Sequence, residues 1–136
     1  MTGYRAYQGH QVDGSSPLGL VLLSYEALYK SLGRARRAII AGDLAAEADH
    51  TGRAIEAIVE LATSLDTERG GKIAASLAAL YAYMIRRLNE NMCSCSTETV
   101  DEIMQLVQTL REGWEEIARQ QQGRPEPRQA AATVAA

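Results

Sequence analysis

The sequence predicts an all-α protein: an antiparallel up-down-up-down four-helix bundle with a flexible N-terminal arm and a disordered C-terminal tail. Three observations carry that expectation. The 136 residues include only three prolines, Pro17, Pro125 and Pro127, so the strongest helix breaker is missing between the first two. The chain holds 22 alanines and 14 leucines but no phenylalanine, a balance that favours helices over strands. Apolar residues recur at steps of three and four through four successive segments, and the connections between them are short enough to make sequence neighbours pack antiparallel.

Residues 1–15 hold three glycines with Tyr4, Tyr7 and His10, and are read as the arm. Ser16-Pro17 starts the first helix: the serine can cap, and proline is pre-set for the first helical position. That helix is expected from about Pro17 to Ala41 and ends at Gly42, a natural C-terminal stop. Asp43 caps the second, which runs to about Ser64 with the row Leu44, Ala48, Thr51, Ile55, Ile58, Ala62 and Leu65. A loop from Leu65 to Gly71 precedes the third, about Gly71 to Asn91, with the row Ile73, Leu77, Leu80, Met84 and Leu88. A turn through Cys93 to Ser96 leads to the fourth, about Thr97 to Gln121, with Val100, Ile103, Val107, Leu110, Trp114 and Ile117. The bundle is thus expected over 16–121 and the tail, rich in proline and alanine, over 122–136.

The first helix carries surplus apolar surface. Its apolar side is centred on Val21, Leu28, Leu32 and Ile39. At 100° per residue Leu22 lies about 110° and Leu23 about 150° from that centre, so Leu23 shares the polar side with Glu26 and Lys30. Such residues are expected to be covered by the arm or by a partner.

Composition and motifs argue against chemistry. The net charge of −3 lacks the basic excess of a nucleic-acid binder. The longest uncharged run in the expected helices, Ile73 to Ile85, is too short for membrane insertion. The start Met-Thr-Gly-Tyr-Arg has no apolar stretch behind it, so a cytoplasmic location is expected. Glu47-x-x-His50 has the spacing of a di-iron ligand pair, but the only other histidine is in the arm, and a solvated pair is the expectation. Cys93-x-Cys95 lacks the further ligands of a zinc site. No catalytic residue, metal or cofactor is expected. The residues alone point to a bundle that binds a helix or peptide.

Tyr4-x-x-Tyr7 followed by Ser16-Pro17-x-x-Leu20-Val21-x-x-x-Tyr25-Glu26-Ala27-Leu28 resembles the start of the flagellin-specific export chaperones, the FliS family. The pattern continues with Gly42-Asp43, Arg53-Ala54, Leu65-Asp66, Gly70-Gly71-x-Ile73-Ala74, Leu77-x-x-Leu80-Tyr81-x-Tyr83-Met84-x-Arg86-Arg87-Leu88 and Trp114. Gly19 and Ala82 depart from it, as does the turn bearing Cys93 and Cys95. The resemblance implies a cytoplasmic, non-enzymatic bundle. Such a bundle binds the disordered C-terminal segment of flagellin, blocks premature polymerisation and delivers the subunit to the type III export gate. An adaptor for another flagellar or regulatory protein is the alternative. Tyr7, with Tyr4, matches the docking tyrosine of the family's N-terminal segment, which implies that the arm shields an apolar site. The partner-binding candidates are Tyr4, Tyr7, Leu20, Leu22, Leu23, Tyr25, Leu77, Tyr81, Tyr83, Met84 and Leu88. Core packing is the competing expectation for Leu77, Tyr81, Met84 and Leu88, which follow the row of their helix.

Overall fold

A computed structural model describes residues 16–122, and within them the chain forms four helices: α1 Pro17–Ala41, α2 Leu44–Thr63, α3 Thr67–Ser94 and α4 Thr97–Gln122. The expected arm, with Tyr4 and Tyr7, lies outside the described residues, as does the expected tail except Gln122, the last residue of α4. No described helix is long and apolar enough to cross a membrane.

Each boundary has a local cause. Ser16 Oγ accepts the Gly19 amide at 3.0 Å, and Pro17 opens α1. Gly42 adopts φ 72°, a left-handed conformation that suits glycine, and closes α1. Its amide donates to the Ile39 carbonyl and the Asp43 amide to that of Ala38, the paired bonds of a Schellman stop. Asp43 then caps α2, accepting the Ala46 amide at 3.0 Å, so the chain reverses within two residues.

The third helix starts earlier than the sequence suggests. Asp66 accepts the Arg69 amide at 3.1 Å and starts a helical turn where a loop through Gly71 is expected. Gly71, at φ 54° and ψ −130°, breaks the axis between that turn and the body of α3. The helix also runs three residues past Asn91, and Cys95 takes the left-handed closing position at φ 54°. Asn91 holds this non-glycine stop. Its carbonyl accepts the Cys95 amide at 2.7 Å, while its side chain donates to the Ser96 carbonyl and accepts the Ser96 amide, both at 3.0 Å.

Neighbours around the bundle are α1–α2, α2–α3, α3–α4 and α4–α1, with α1 and α3 on one diagonal. The closest pair is α1–α2. Small buried residues on both helices, Ser31, Ala35 and Ala38 on one and Ala54 on the other, allow that approach. The α2 row is accordingly turned from the one expected: Glu47, Thr51, Ala54, Ile58 and Leu61 are buried, whereas Leu44 is 68% exposed and Ala48 is exposed. Glu47, expected in solvent, is 3% exposed and accepts a hydrogen bond from Cys95 Sγ at 3.2 Å. His50 is half-buried, also unlike a solvated residue.

The centre of the core is polar at one point. Tyr25 of α1 is fully buried, and its hydroxyl lies 2.5 Å from that of Tyr81 on α3 and accepts a 3.2 Å bond from Trp114 Nε1 on α4. Leu28, Leu32, Ile58, Met84, Leu88, Val100, Ile103 and Val107 pack around this node. Burial raises the pKa of both tyrosines, most strongly at Tyr81, so both phenols stay neutral. Tyr25→Phe strands both Tyr81 and Trp114, whereas Tyr81→Phe leaves the Trp114 bond in place. We expect losses of about 1–3 kcal/mol for the first and about 0.5–1.5 kcal/mol for the second. Urea unfolding of the two variants checks the order.

Candidate partner-binding groove

The looseness of one helix pair creates the site. Among the neighbouring pairs α3–α4 makes the least contact, although a tight turn joins the two helices. Near that turn polar side chains tie them. Arg87 donates from Nε and Nη2 to Glu102 Oε1 at 3.2 and 3.1 Å, and from Nη2 to Thr99 Oγ1 at 3.3 Å. The Tyr83 hydroxyl donates to the other oxygen of Glu102. These partners fix an antiparallel register in which Tyr83 faces Glu102.

Followed away from the turn, the tied faces become apolar. Stepping back from Arg87 by threes and fours reaches Met84, Leu80, Leu77 and Ile73. Stepping forward from Glu102 reaches Leu106, Leu110, Gly113 and Ile117. At 100° per residue each series stays within one side of its helix. Met84 is buried, but Leu77, Leu80, Leu106, Leu110 and Ile117 are only partly covered, and Ile73 is 61% exposed. The Ile73 level lies about 15 Å along α3 from Tyr83, and Gly113 about 16 Å along α4 from Glu102, so the two stand opposite. Gly113, at that level, presents no side chain, and Ile73, expected in the core, is open. These two half-covered rows form the walls of a candidate apolar groove between the helices, tied by hydrogen bonds at the turn. Each half-covered leucine still has on the order of 1 kcal/mol of burial to gain. A third helix carrying its own row of apolar residues fits such a groove.

The expected site residues separate into distinct settings. Leu77 lines the groove, and Tyr83 stands at its tied end with Arg86 over its ring at 5.5 Å. Tyr25, Tyr81, Met84 and Leu88 belong to the core beneath it. Leu22, expected as surplus surface, is 5% exposed and also belongs to the core. The buried arc of α1 is centred nearer Tyr25, only about 60° from Leu22, because α1 packs against both α2 and α4. Leu20 is 53% exposed and Leu23 half-buried, both on the outward side of α1 rather than in the groove. Sequence reasoning had placed Leu80, Leu110 and Ile117 in single core rows and passed over Leu106 and Gly113. The available signal was width. On α4 the core row Val100-Ile103-Val107-Trp114-Ala118 runs beside a second row, Leu106-Leu110-Ile117, and together they exceed one seam.

Among the described residues no group of three His, Cys, Asp or Glu side chains could hold a metal ion. Cys93 and Cys95 are free thiols, and the hydrogen bond to Glu47 raises the pKa of Cys95. The fold is a four-helix bundle with a half-covered apolar seam. Comparison with known proteins specifies it: residues 1–121 match the family described as flagellar protein FliS, and the chain belongs to that family. It is similar to the flagellar secretion chaperone FliS of Salmonella typhimurium, with 32% identity over 122 residues, 86% of this chain and 90% of the relative. It is also similar to the flagellar secretion chaperone FliSB of Pseudomonas aeruginosa, with 35% identity over 108 residues, 79% of this chain and 86% of the relative. The FliS chaperone of Bacillus subtilis is 30% identical over 113 residues, 83% of this chain and 84% of the relative. The class is that of a flagellar export chaperone.

The tie at the closed end is acid-sensitive. The Tyr83 hydrogen bond holds the Glu102 carboxyl below its ordinary value of 4.5, burial opposes this, and Arg87 adds to the lowering. A depressed folded value means stability that is fully present above the unfolded value and lost as pH falls through the folded one. We expect Glu102→Gln to be less stable than the parent near neutrality, and the gap to narrow as pH falls from the ordinary carboxyl value of 4.5 through the lower folded one. The effect is modest because the carboxylate is partly exposed. Unfolding free energies across that range check it.

Proposed function

We propose that this protein binds the disordered C-terminal segment of flagellin in the cytoplasm, prevents its premature polymerisation and delivers it to the flagellar type III export gate. The observation that carries this reading is the half-covered α3–α4 groove in a member of a flagellar chaperone family. The client folds as a helix along the groove. The entropy it loses on ordering lowers the affinity per unit of buried area, which keeps the complex releasable. Leu77, Leu80, Leu106, Leu110 and Ile117 supply the contact, with Tyr83 at its tied end. Leu22, Tyr25, Tyr81, Met84 and Leu88 act from beneath, as the packed floor that fixes the groove. Leu20 and Leu23 form a second contact surface on α1, and Tyr4 and Tyr7, outside the described residues, also contact the client. The role is one of binding and needs neither catalysis nor cofactor.

Calorimetric titration with a synthetic C-terminal flagellin peptide tests the proposal. Saturable binding with a negative heat-capacity change is expected. Leu80→Asp and Leu110→Asp should each weaken it by about tenfold or more while helical circular dichroism persists. A folded wild-type protein that gives no binding heat overturns the reading.

A further inference from the structure

We propose that Gly113 is a specificity-determining position, a notch in the α4 wall of the groove that receives one bulky apolar side chain of the bound client helix. This rests on the groove being the client site and goes further by naming where the client's anchor seats.

Glycine is among the least favourable residues for a helix interior, and Gly113 stands deep inside α4. No backbone requirement accounts for it, since the described glycines with positive φ are Gly42 and Gly71. No internal packing accounts for it either. A Cβ at Gly113 would meet nothing within 4 Å, whereas one at Gly33 would touch Met104 Cε at 3.9 Å. The space that the absent side chain leaves lies on the outside of the fold.

Its place gives that space a direction. Gly113 stands in the groove-facing series of α4 between Leu110 and Ile117, at about the level of Ile73 on α3, which is 61% exposed. A gap in one ridge, with Leu110 and Ile117 on its inner side and the exposed Thr109 and Glu116 on its outer side, suits a large apolar knob from a third helix. A leucine, methionine or aromatic residue has the required shape and chemistry. The same gap lets the client backbone approach α4 closely. Selection for binding then opposes the stability an alanine would add.

Gly52 supplies a matched control. It too is a helical glycine whose Cβ would meet nothing within 4 Å, but it lies on α2, outside the groove. Three variants, Gly113→Ala, Gly113→Leu and Gly52→Ala, are titrated with the flagellin peptide and with peptides in which each large apolar residue is truncated to alanine. Both alanine variants should melt a few degrees higher than the parent. Gly113→Ala should weaken binding severalfold, Gly113→Leu by about tenfold or more, and Gly52→Ala not at all. One truncated peptide should bind parent and Gly113→Leu almost equally, identifying the anchor by its coupling. If wild type binds and Gly113→Leu binds as tightly, or if Gly52→Ala weakens binding as much as Gly113→Ala, the notch is refuted while the client reading stands. If wild type does not bind, both fall.

Discussion

The Tyr25 hydroxyl is the point at which three helices meet. It reaches Tyr81 across the bundle diagonal and accepts the indole of Trp114, so α1, α3 and α4 share one buried polar node. Apolar packing alone fixes helix phase weakly, because a leucine core can repack with small rotations. A buried hydroxyl cannot, since a rotation of any of the three helices leaves a donor or acceptor stranded. This constraint sets which face of α3 turns inward. Once Tyr81 and Met84 point at the core, Leu77 and Leu80 are committed to the edge, and they meet α4 across its second apolar row.

That row stays open because the helices are fastened unevenly. At the turn the Arg87, Tyr83 and Glu102 bonds and the Asn91 clamp draw α3 and α4 together. At the far end Gly71 breaks α3 and Gly113 contributes no side chain to α4. The contrast with α1–α2, where small residues on both sides bring the helices close, is one of side-chain size and tie placement rather than hydrophobicity. The same bundle thus has a rigid half and an open half, and the open half lies against the core that holds it in shape.

Most of the architecture was legible from residue spacing, and the reasons for the exceptions are specific. Ser16-Pro17, Gly42 and Asp43 announce their own roles, because capping chemistry is local and one residue suffices. Glu68 and Arg69 sit in a helical turn that a glycine-rich stretch concealed; Asp66 as a cap was the signal. The phase of α2 was hidden because it depends on how close α1 comes, a property of two helices that neither sequence segment carries alone. Glu47 looked solvated for the same reason. Its burial depends on Cys95, which lies 48 residues away in sequence but close in the fold. The resemblance to the chaperone family was legible from ordered motifs, and the family match bears it out. The groove was not, because half-coverage is a relation between rows, and each row by itself resembles ordinary core.

Under the proposed role, a chaperone for an unfolded client faces a conflict on which this geometry bears. It must keep apolar area uncovered, and uncovered apolar area invites self-association. Scattering that area over the surface would lower the risk but leave no continuous track for a helix. Placing part of it in a seam between two helices keeps the track and limits access there. A flat surface can dock against its own copy, whereas a recessed groove accepts only a ridge of matching width. Leu20, Ile40, Leu44, Val59 and Met92 are exposed elsewhere on the bundle, while the leucines of the seam are half-covered. Partial burial of each reduces what a chance partner gains, while a helix that fills the whole length sums the remaining burial over every position. Selectivity for a long amphipathic client then follows from the depth of the seam and from the polar ties that keep its closed end from spreading.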